Sequence, residues 1–459
     1  MATTRIWDKD NEHILAFKRS VAGNQSCLPL VKYMLSILIG LATYPKKIMK
    51  NKILCGDSLE VLKDFEDNYF DSVVTDPPYG LAFMGKKWDY DVPQVELWKE
   101  VYRVLKPGGH ILSFAGSRTY HRMAVNIEDA GFEIRDMLGW LYGSGFPKSH
   151  NIGKAVDKLQ GNKREVVGKY KNLSPGDEWR ISGNFGGEST NQNKRSITKG
   201  NSEWEGWGTA LKPAHEPIVM ARKPFNTSVA ENVLTHGTGG INIDECRVGT
   251  DEKLSRPVNS ASNNVYGKYN TFGNDVEPQG RFPANIIHDG SEEVLEIFPE
   301  TTSGKMSSKH TRHTDESPHG IYGKFDINHP LGETYGDAGS AARFFYCAKA
   351  SKAERNMGLD DFETKKAGGM SGRNDGSMGS ITYNKNHHPT VKPIKLMEYL
   401  VRLVTPKEGI VLEPFAGSGT TLIACKQQGF NYIGIEREQE YCNIAEARLK
   451  GVQIQGTLF

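Results

Sequence analysis

The chain has 459 residues, which exceeds an average single domain and predicts two lobes or one domain with a large insertion. Its 57 Lys and Arg residues nearly balance 55 Asp and Glu residues, so the overall charge indicates no particular class of partner. The six cysteines form no CxxC pair, and His310, His313 and His319 lack further ligands at metal-binding spacing. We therefore expect no disulfide framework, no metal site and a reducing cytoplasm.

The N-terminal 48 residues contain one stretch that resembles a membrane segment, LPLVKYMLSILIGLATYP at 28–45. Lys32 interrupts this stretch, and its apolar part is shorter than the ~20 residues of a membrane span, so we expect no membrane association. It also lacks the basic start and the cleavage site of a signal peptide. Because Met49 opens MKNKILCGDSLEVL, a typical beginning of a domain, we hypothesise that residues 1–48 are an extension dispensable for activity.

Predicted strands and helices alternate over residues 49–142. KILC is a short strand, SLEVLKDF after the turn is an amphipathic helical turn, and DSVVTD is a buried strand rich in β-branched residues. A helix over VPQVELWKEVYRVL, closed by Pro107–Gly109, precedes the strand HILSFAG. A second helix leads to a strand that begins near Phe132. This alternation predicts a parallel α/β sheet.

Residues 143–345 differ in character, since they are rich in Gly, Asn, Ser and aromatic residues and contain few periodic runs. One exception, HEPIVMARKPF at 215–225, predicts a strand that returns to the sheet. Between residues 143 and 230, 14 Lys and Arg residues outnumber eight Asp and Glu residues, with aromatic residues interleaved. A solvated loop surface also explains such charge, but cations that meet phosphates and rings that meet bases favour a nucleic-acid interface. The candidates for DNA contact are Lys194, Arg195, Lys199, Trp204 and Trp207.

The segment VLEPFAGSGTT, residues 411–421, predicts a strand, a glycine-rich turn and the start of a helix. Gly417 and Gly419 allow a ligand to approach the backbone closely. The next strand ends in YIGIERE, so that Glu436 can accept hydrogen bonds from both hydroxyls of a ribose. A nicotinamide site would carry G-x-G-x-x-G, and this turn lacks the third glycine, so a small nucleoside without phosphate, such as S-adenosylmethionine, fits better.

The strand DSVVT ends in the loop Asp76–Gly80, with the sequence DPPYG. A rigid turn explains the two prolines but does not require Asp76 or Tyr79. A chemical interpretation explains all four residues: Asp76 and the Pro77 carbonyl accept the two hydrogens of an exocyclic amine, and the base stacks on Tyr79. These hydrogen bonds localise the lone pair on the amine nitrogen, so that catalysis rests on positioning and electrostatics. The base has to leave the duplex to reach such a site.

With these motifs the chain resembles amino-group DNA methyltransferases, which use S-adenosylmethionine to methylate adenine N6 or cytosine N4. The resemblance rests on DPPYG at 76–80, HPTVKP at 388–393, FAGSGTT at 415–421 and GIE at 434–436. Their order matches the β group of the family, in which the segment between the catalytic and cofactor motifs recognises the target. The resemblance implies an α/β fold with a circularly permuted, Rossmann-like class I methyltransferase sheet and a large irregular target-recognition insert. It also implies double-stranded DNA as the partner.

The resemblance assigns roles to individual residues. The catalytic residues would be Asp76, Pro77, Pro78 and Tyr79. The cofactor-binding residues would be Asp57, Thr390, Lys392, Glu413, Phe415, Ala416, Gly417, Gly419, Thr420 and Glu436. Asp57 is explained almost equally well as a helix N-cap. Thr390 and Lys392 resemble family residues near the methionine end of the cofactor.

We expect an N-terminal extension (1–48), a catalytic half (49–142), an inserted target-recognition region (143–345) and a cofactor-binding half (346–459). GWGTALKPAHEPI and RFFYCAKASKAER are similar to stretches of phage-type members, which suits the cytoplasm of a bacterial or phage-infected cell. The favoured function is site-specific DNA methylation at adenine N6, because cytosine N4 enzymes more often carry Ser in place of Asp76. Cytosine N4 methylation, methylation of glutamine in a protein, and a catalytically silent DNA-binding subunit stay open, as does a homodimer.

Overall fold

The computed structural model describes residues 49–81, 89–145, 149–169, 196–250, 262–263, 267–268, 280–302, 338–348, 353–366, 383–388 and 390–452. Several predictions fall outside these residues. They concern residues 1–48 with the apolar stretch, the three histidines between 310 and 319, and Lys194 and Arg195.

A nine-stranded sheet forms the centre of the unit Lys50–Phe459. Its strands are β1 (Lys52–Cys55), β2 (Phe70–Thr75), β3 (Leu105–Phe114), β4 (Glu133–Leu141), β5 (His215–Arg222), β6 (Ile286–His288), β7 (Tyr346–Cys347), β8 (Ile410–Glu413) and β9 (Asn431–Glu436). Their order is β1-β9-β8-β2-β3-β5-β4-β6-β7. Neighbours pair in parallel, except that β5 runs antiparallel to both β3 and β4.

Helices flank these strands. The α-helices are α1 (Ser58–Leu62), α2 (Val95–Val104), α3 (Tyr120–Asp129), α4 (Ile152–Gln160), α5 (Val229–His236), α6 (Glu292–Leu295), α7 (Ile394–Val404), α8 (Thr420–Gln427) and α9 (Gln439–Gly451). Short 3-10 helices are Asp244–Cys246, Ala341–Phe344 and Ala353–Asn356. Short antiparallel pairs are Glu165–Lys169 with Ser196–Lys199, Ser262–Asn263 with Gly267–Lys268, Glu300–Thr302 with Ala338–Ser340, and Lys365–Lys366 with Tyr383–Asn384. Among the described helices none has the length and apolar character needed to cross a membrane.

This architecture confirms the predicted α/β, Rossmann-like fold. The permuted order of the motifs is visible in the sheet, because the C-terminal strands β8 and β9 lie between β1 and β2. The two halves are therefore interleaved in one sheet. All six residues of β2 are buried at the centre of this sheet, as their β-branched character predicts.

One polar residue of β2 has a structural function in joining the two halves. Asp71 is buried, and it accepts a hydrogen bond from Lys106 Nζ at 2.6 Å and from the backbone N–H of Ile410 at 2.7 Å. Burial of a carboxylate is tolerated only when it is paired and hydrogen-bonded, and both conditions are met here. Asp71 thus connects the catalytic half to the start of β8.

One predicted boundary is wrong. Helix α2 ends at Val104 instead of reaching Pro107–Gly109, and these residues belong to β3. The reason is a pairing that the local sequence does not show: Gly108 N–H donates to Lys223 O, and Lys223 N–H donates to Gly109 O, each at 2.9 Å. The chain just beyond β5 thereby holds this segment extended.

The insert leaves the sheet at the end of β4 and rejoins it at the start of β5. Leu141 is paired with His215, and Tyr142 N–H donates to Ala214 O at 3.0 Å. The predicted returning strand at 215–225 therefore lies between β3 and β4 as β5, and it ends at Arg222.

A small unit within the insert is organised around one arginine. Arg164 forms an ion pair with the buried Asp157 of α4 and donates to both carboxylate oxygens of Glu205, at 2.8 and 2.7 Å. It also donates to the Thr198 carbonyl in the strand Ser196–Lys199 at 3.0 Å. These contacts join α4, the strand pair and the turn at 202–207, and we name these three elements the small unit of the insert.

Candidate active site

The loop Asp76–Gly80 follows β2 at the carboxyl edge of the sheet, and two side chains hold it in place. The buried Asp89 carboxylate accepts hydrogen bonds from the backbone N–H groups of Tyr79 at 2.7 Å and Gly80 at 3.1 Å. On the other side, Thr119 Oγ1 donates to Tyr79 O at 2.6 Å. The backbone of Tyr79 is thus fixed from both sides, which restrains the ring and the carboxylate of Asp76 next to it.

The glycine turn follows β8 at the same edge. Gly417 and Gly419 have φ values of 51° and 79°, which other residues adopt only with strain. A Cβ atom on Gly417 would lie 2.9 Å from His388 Nε2, so the turn also leaves no room for a side chain there. The carboxylate of Glu436, at the end of β9, accepts from Gly417 N–H and Glu438 N–H at 2.8 Å each.

Two buried residues with ionisable side chains, Glu413 and Arg448, support this turn. Glu413 accepts hydrogen bonds from Thr75 Oγ1, from Thr421 Oγ1 at 2.7 Å and from Phe415 N–H at 3.0 Å. Burial raises the pKa of Glu413 to about 7. The fully buried Arg448 donates to Ser418 O at 2.6 Å, and burial lowers the pKa of its guanidinium to about 10. Both side chains therefore fix the backbone of the turn.

His388 forms the opposite wall and is uncharged. Its Nδ1 lies 2.7 Å from Thr390 O, and because a carbonyl only accepts, the proton is on Nδ1. Burial lowers the pKa of His388 to about 4, so Nε2 presents a lone pair towards Gly417 at neutral pH. The hydrogen bond to Thr390 also sets the path of the chain towards Lys392.

The loop and the turn open onto one cleft. Its lining residues are Asp76, His388, Thr390, Lys392, Met397, Glu413, Phe415, Ala416, Gly417, Ser418, Thr420 and Thr421. The structure thus brings Asp76 to the same cleft as the glycine turn at residues 415–419, although more than 330 positions separate the two segments in the chain.

An ammonium group lies at the point where the two halves meet. Lys392 Nζ is 2.9 and 2.8 Å from the two carboxylate oxygens of Asp76, 3.1 Å from Tyr79 Oη and 3.1 Å from Glu216 Oε2. Tyr79 Oη in turn donates to Asp76 Oδ1 at 2.7 Å. Lys392 Nζ also lies 4.7 Å from the centre of the Phe114 ring. We name these four residues, Asp76, Tyr79, Glu216 and Lys392, the lysine cluster.

The electrostatics of the lysine cluster follow from its burial and its charges. Burial, together with the carboxylates of Asp76 and Glu216, raises the pKa of Tyr79 well above its usual value. Burial alone would lower the pKa of Lys392, but the same two carboxylates raise it above the usual value. Tyr79 is therefore a neutral phenol and Lys392 an ammonium at neutral pH.

Not every predicted cofactor residue lies on the surface of the cleft. Asp57 caps α1, with Oδ1 accepting from Leu59 N–H at 3.0 Å, as in the N-cap interpretation. It lies near the turn nonetheless, because Ser58 Oγ donates to Pro414 O at 2.5 Å. Gly419 and Glu436 do not line the cleft either. Lys392, expected near the methionine end of the cofactor, contacts the catalytic loop through Asp76 and Tyr79.

The predicted DNA-contact residues that the structure describes lie on the insert. Trp204 and Trp207 are 40% and 59% exposed, and their rings meet edge to face with centroids 5.1 Å apart. Lys199 is exposed at the end of a strand of the same small unit. Two other cations between residues 143 and 230 have partners within the protein, since Arg164 is ion-paired and Lys223 Nζ is bound to backbone carbonyls.

Four residues that support the site were missed in the sequence. Glu216 and His388 stand in the quoted stretches HEPIVMARKPF and HPTVKP, so their position was visible but their contacts were not. Asp89 and Arg448 carried no signal, because each binds backbone groups, those of Tyr79 and Gly80 for Asp89 and that of Ser418 for Arg448, which no motif marks. Within the described part of the chain, no group of three or more His, Cys, Asp and Glu side chains could hold a metal ion.

A Rossmann-like sheet with a glycine turn and an Asp-Pro-Pro-Tyr loop at one cleft defines the class of S-adenosylmethionine-dependent methyltransferases. The family model described as DNA methylase, which covers the N6 and N4 types, matches residues 70–447. The chain therefore belongs to this family of DNA methylases. This confirms the predicted family, amino-group DNA methyltransferases, and with it S-adenosylmethionine as the cofactor.

Known proteins similar to the chain include two type II methyltransferases from Haemophilus influenzae. M.HindIII is 24% identical over 359 residues, which cover 77% of this chain and 68% of that protein. M.HinfI is 44% identical over 69 residues, which cover 15% of this chain and only 19% of that protein. Among solved structures, the cytosine-N4-specific PvuII DNA methyltransferase is 15% identical with a TM-score of 0.38, and the match covers 88% of this chain and 87% of that chain.

Proposed function

We propose that this protein methylates one short DNA sequence at the exocyclic amine of adenine, N6. The observation that carries the proposal is the shared cleft, in which the Asp76 carboxylate and the glycine turn at Gly417 lie together. One side of such a cleft suits the amine of a base and the other suits a nucleoside cofactor. Methylation of cytosine N4 is the second candidate, because the same carboxylate also suits that amine.

The glycine turn fits S-adenosylmethionine. Gly417 has no side chain, so a ligand can approach its backbone closely. His388 leaves no room for a side chain at this position. Glu436 accepts from Gly417 N–H at one carboxylate oxygen and from Glu438 N–H at the other, and its remaining lone pairs would accept from ribose hydroxyls. Phe415, Ala416 and Thr390 would line the rest of the cofactor site. When bound, S-adenosylmethionine supplies a methyl group activated by a positively charged sulfur.

The catalytic loop would hold the amine of the base. Asp76 provides a carboxylate acceptor, and the Pro77 carbonyl accepts no hydrogen bond from the described part of the chain, which leaves it for the second amine hydrogen. Tyr79 would provide a ring on which the base stacks. Its backbone N–H donates to Asp89 and its carbonyl accepts from Thr119 Oγ1, which keeps that ring in position. These residues act by orientation and electrostatics.

One feature supports adenine as the target base, because Asp76 stands where cytosine N4 enzymes more often carry Ser. The base would have to leave the duplex to reach a carboxylate at the sheet edge, at a cost of a few kcal/mol that stacking on Tyr79 would offset. The similarity to stretches of phage-type members supports the cytoplasm of a bacterial or phage-infected cell as the place of the reaction.

The small unit of the insert would contact the DNA. Lys199 suits a phosphate, and the exposed rings of Trp204 and Trp207 suit bases or sugars. Changing both tryptophans to Ala should weaken DNA binding at least tenfold, since a stacked base contributes ~1–3 kcal/mol. Leu234→Ala on α5, an exposed apolar residue outside this unit, is the control and should leave DNA binding unchanged.

The decisive experiment combines the purified protein, S-adenosylmethionine and unmethylated DNA, followed by mass spectrometry of the nucleosides and methylation-sensitive sequencing. We expect N6-methyladenine within one short sequence. N4-methylcytosine in its place would establish the second candidate. A failure to methylate any DNA, or methylation of glutamine in a protein, would refute the proposal.

A further inference from the structure

Glu216 places a second carboxylate next to the catalytic loop. It is the second residue of β5, the strand that returns from the insert, and it is paired with Trp140 of β4. Its Oε2 lies 3.1 Å from Lys392 Nζ and 3.3 Å from Tyr79 Oη, and its side chain is largely buried. Neither the glycine turn nor the DPPYG loop includes it, yet it touches two members of the lysine cluster.

The lysine cluster contains one more negative than positive charge. Asp76 and Glu216 contribute two carboxylates, and Lys392 contributes the one ammonium between them. The Tyr79 hydroxyl is neutral and donates to Asp76. The amino nitrogen of a base becomes positively charged when it gains a methyl group and returns to neutrality when it loses a proton to water. A net negative charge next to this nitrogen stabilises the positive charge that develops on it during methyl transfer.

The hydrogen bonds of Lys392 also set a condition on the reaction. An ammonium has three N–H donors, and Asp76, Tyr79 and Glu216 are three partners for them. Asp76 Oδ1 accepts from Tyr79 and Lys392, so the lone pair left for a hydrogen of the base is on Oδ2, where the base would share the carboxylate with the ammonium. Sharing weakens the pairing of Lys392 with Asp76, and a buried ammonium without a carboxylate partner is strongly destabilised. Glu216 supplies a second carboxylate that keeps Lys392 paired while the base is bound.

We propose that Glu216 is a positioning residue for methyl transfer, which holds Lys392 in place while Asp76 binds both the ammonium and the amino group of the base. This inference rests on the proposed function, because it assumes an amine substrate at Asp76. Glu216 acts through Lys392 and touches neither the base nor the glycine turn. Its loss should therefore slow the reaction without weakening cofactor binding.

The test compares Glu216→Gln with the wild-type protein in steady-state methylation of DNA. Gln keeps the shape of Glu but removes its charge, so we expect kcat to fall at least 30-fold. KM for S-adenosylmethionine and the melting temperature should change little, and Glu216→Asp should recover part of the lost kcat. The control is Glu133→Gln on β4, which removes a partner of Arg222 at 2.9 Å and should keep kcat within twofold of wild type.

Two results would overturn the inference. One is a wild-type kcat in Glu216→Gln, and the other is a loss of rate in a folded Glu216→Gln that is matched by an equal loss of cofactor affinity. If Glu216→Gln does not fold, Glu216→Asp alone decides, since its shorter side chain should lower kcat and leave KM unchanged. An inactive wild-type protein would instead refute the proposed function, so the two failures are distinguishable.

Discussion

The ammonium of Lys392 lies 2.8 Å from Asp76 Oδ2, although 316 positions separate the two residues in the chain. This contact joins the cofactor-binding half to the catalytic loop at the place where the reacting groups would meet. The fold makes it possible, because Lys392 lies just before α7, and α7 packs against β2, the strand that leads into Asp76. The functional consequences of this arrangement can be measured residue by residue.

Asp76→Asn should lower kcat for methyl transfer roughly 100-fold or more, because one strong acceptor for the amine is lost. The affinity for S-adenosylmethionine should change less than about threefold, since Asn keeps the size of the side chain and Glu216 still pairs with Lys392. Radiolabelled methyl transfer and calorimetric titration provide the two readouts. The control is Asp67→Asn, an exposed carboxylate paired with Arg103. Wild-type kcat in Asp76→Asn would remove this carboxylate from the mechanism.

Gly417→Ala should weaken binding of S-adenosylmethionine at least tenfold, because the new methyl group would lie 2.9 Å from His388 Nε2 and the turn would have to shift. The positive φ of this residue adds a backbone cost of ~1–2 kcal/mol. Gly161→Ala is a matched control, because Gly161 also has a positive φ of 71° but no atom within 4 Å of a new Cβ. Equal cofactor affinity in the two variants would show that the close approach to His388 is unimportant.

Glu413 should make the stability of the protein depend on pH. Its folded-state pKa is raised by burial to about 7, above the ordinary 4.5. The stability contributed by the protonated carboxyl is therefore fully present below pH ~4.5 and is lost as the pH rises through about 7. Relative to Glu413→Gln, which cannot titrate, the wild-type protein should lose on the order of 3 kcal/mol of unfolding free energy over this window. Urea unfolding between pH 5 and pH 8 measures the difference, and parallel stability curves would contradict it.

Replacing Lys194, Arg195 and Lys199 together with Ala should weaken DNA binding and flatten its dependence on salt. Each phosphate contact that is lost should reduce the slope of log K against log salt by about 0.9. Lys52, Lys63 and Lys450, three exposed lysines outside the insert, form the control set, and their replacement should leave the slope unchanged. An unaltered slope in the first variant would exclude those three residues from the phosphate contacts.

A local sequence pattern predicts structure well where it has one physical meaning. The run DSVVT predicts a buried strand, and FAGSGTT between a strand and a helix predicts a tight turn, and both are present. The contacts of Glu216 and Arg448 could not be foreseen, because each depends on which distant segment becomes the neighbour. Lys392 illustrates the same limit: its motif was recognised, yet its partners Asp76 and Glu216 come from the loop after β2 and from β5.

The pairing of Leu141 with His215 has an evolutionary consequence. Residues 142–214 depart and rejoin at adjacent, hydrogen-bonded positions, so the ends of this segment stay together whatever lies between them. Lengthening a loop whose ends are already held costs little entropy. A new segment could therefore be grafted between these two positions without disturbing the sheet, and such exchange would let an ancestor of this enzyme acquire a different target sequence while keeping its chemistry.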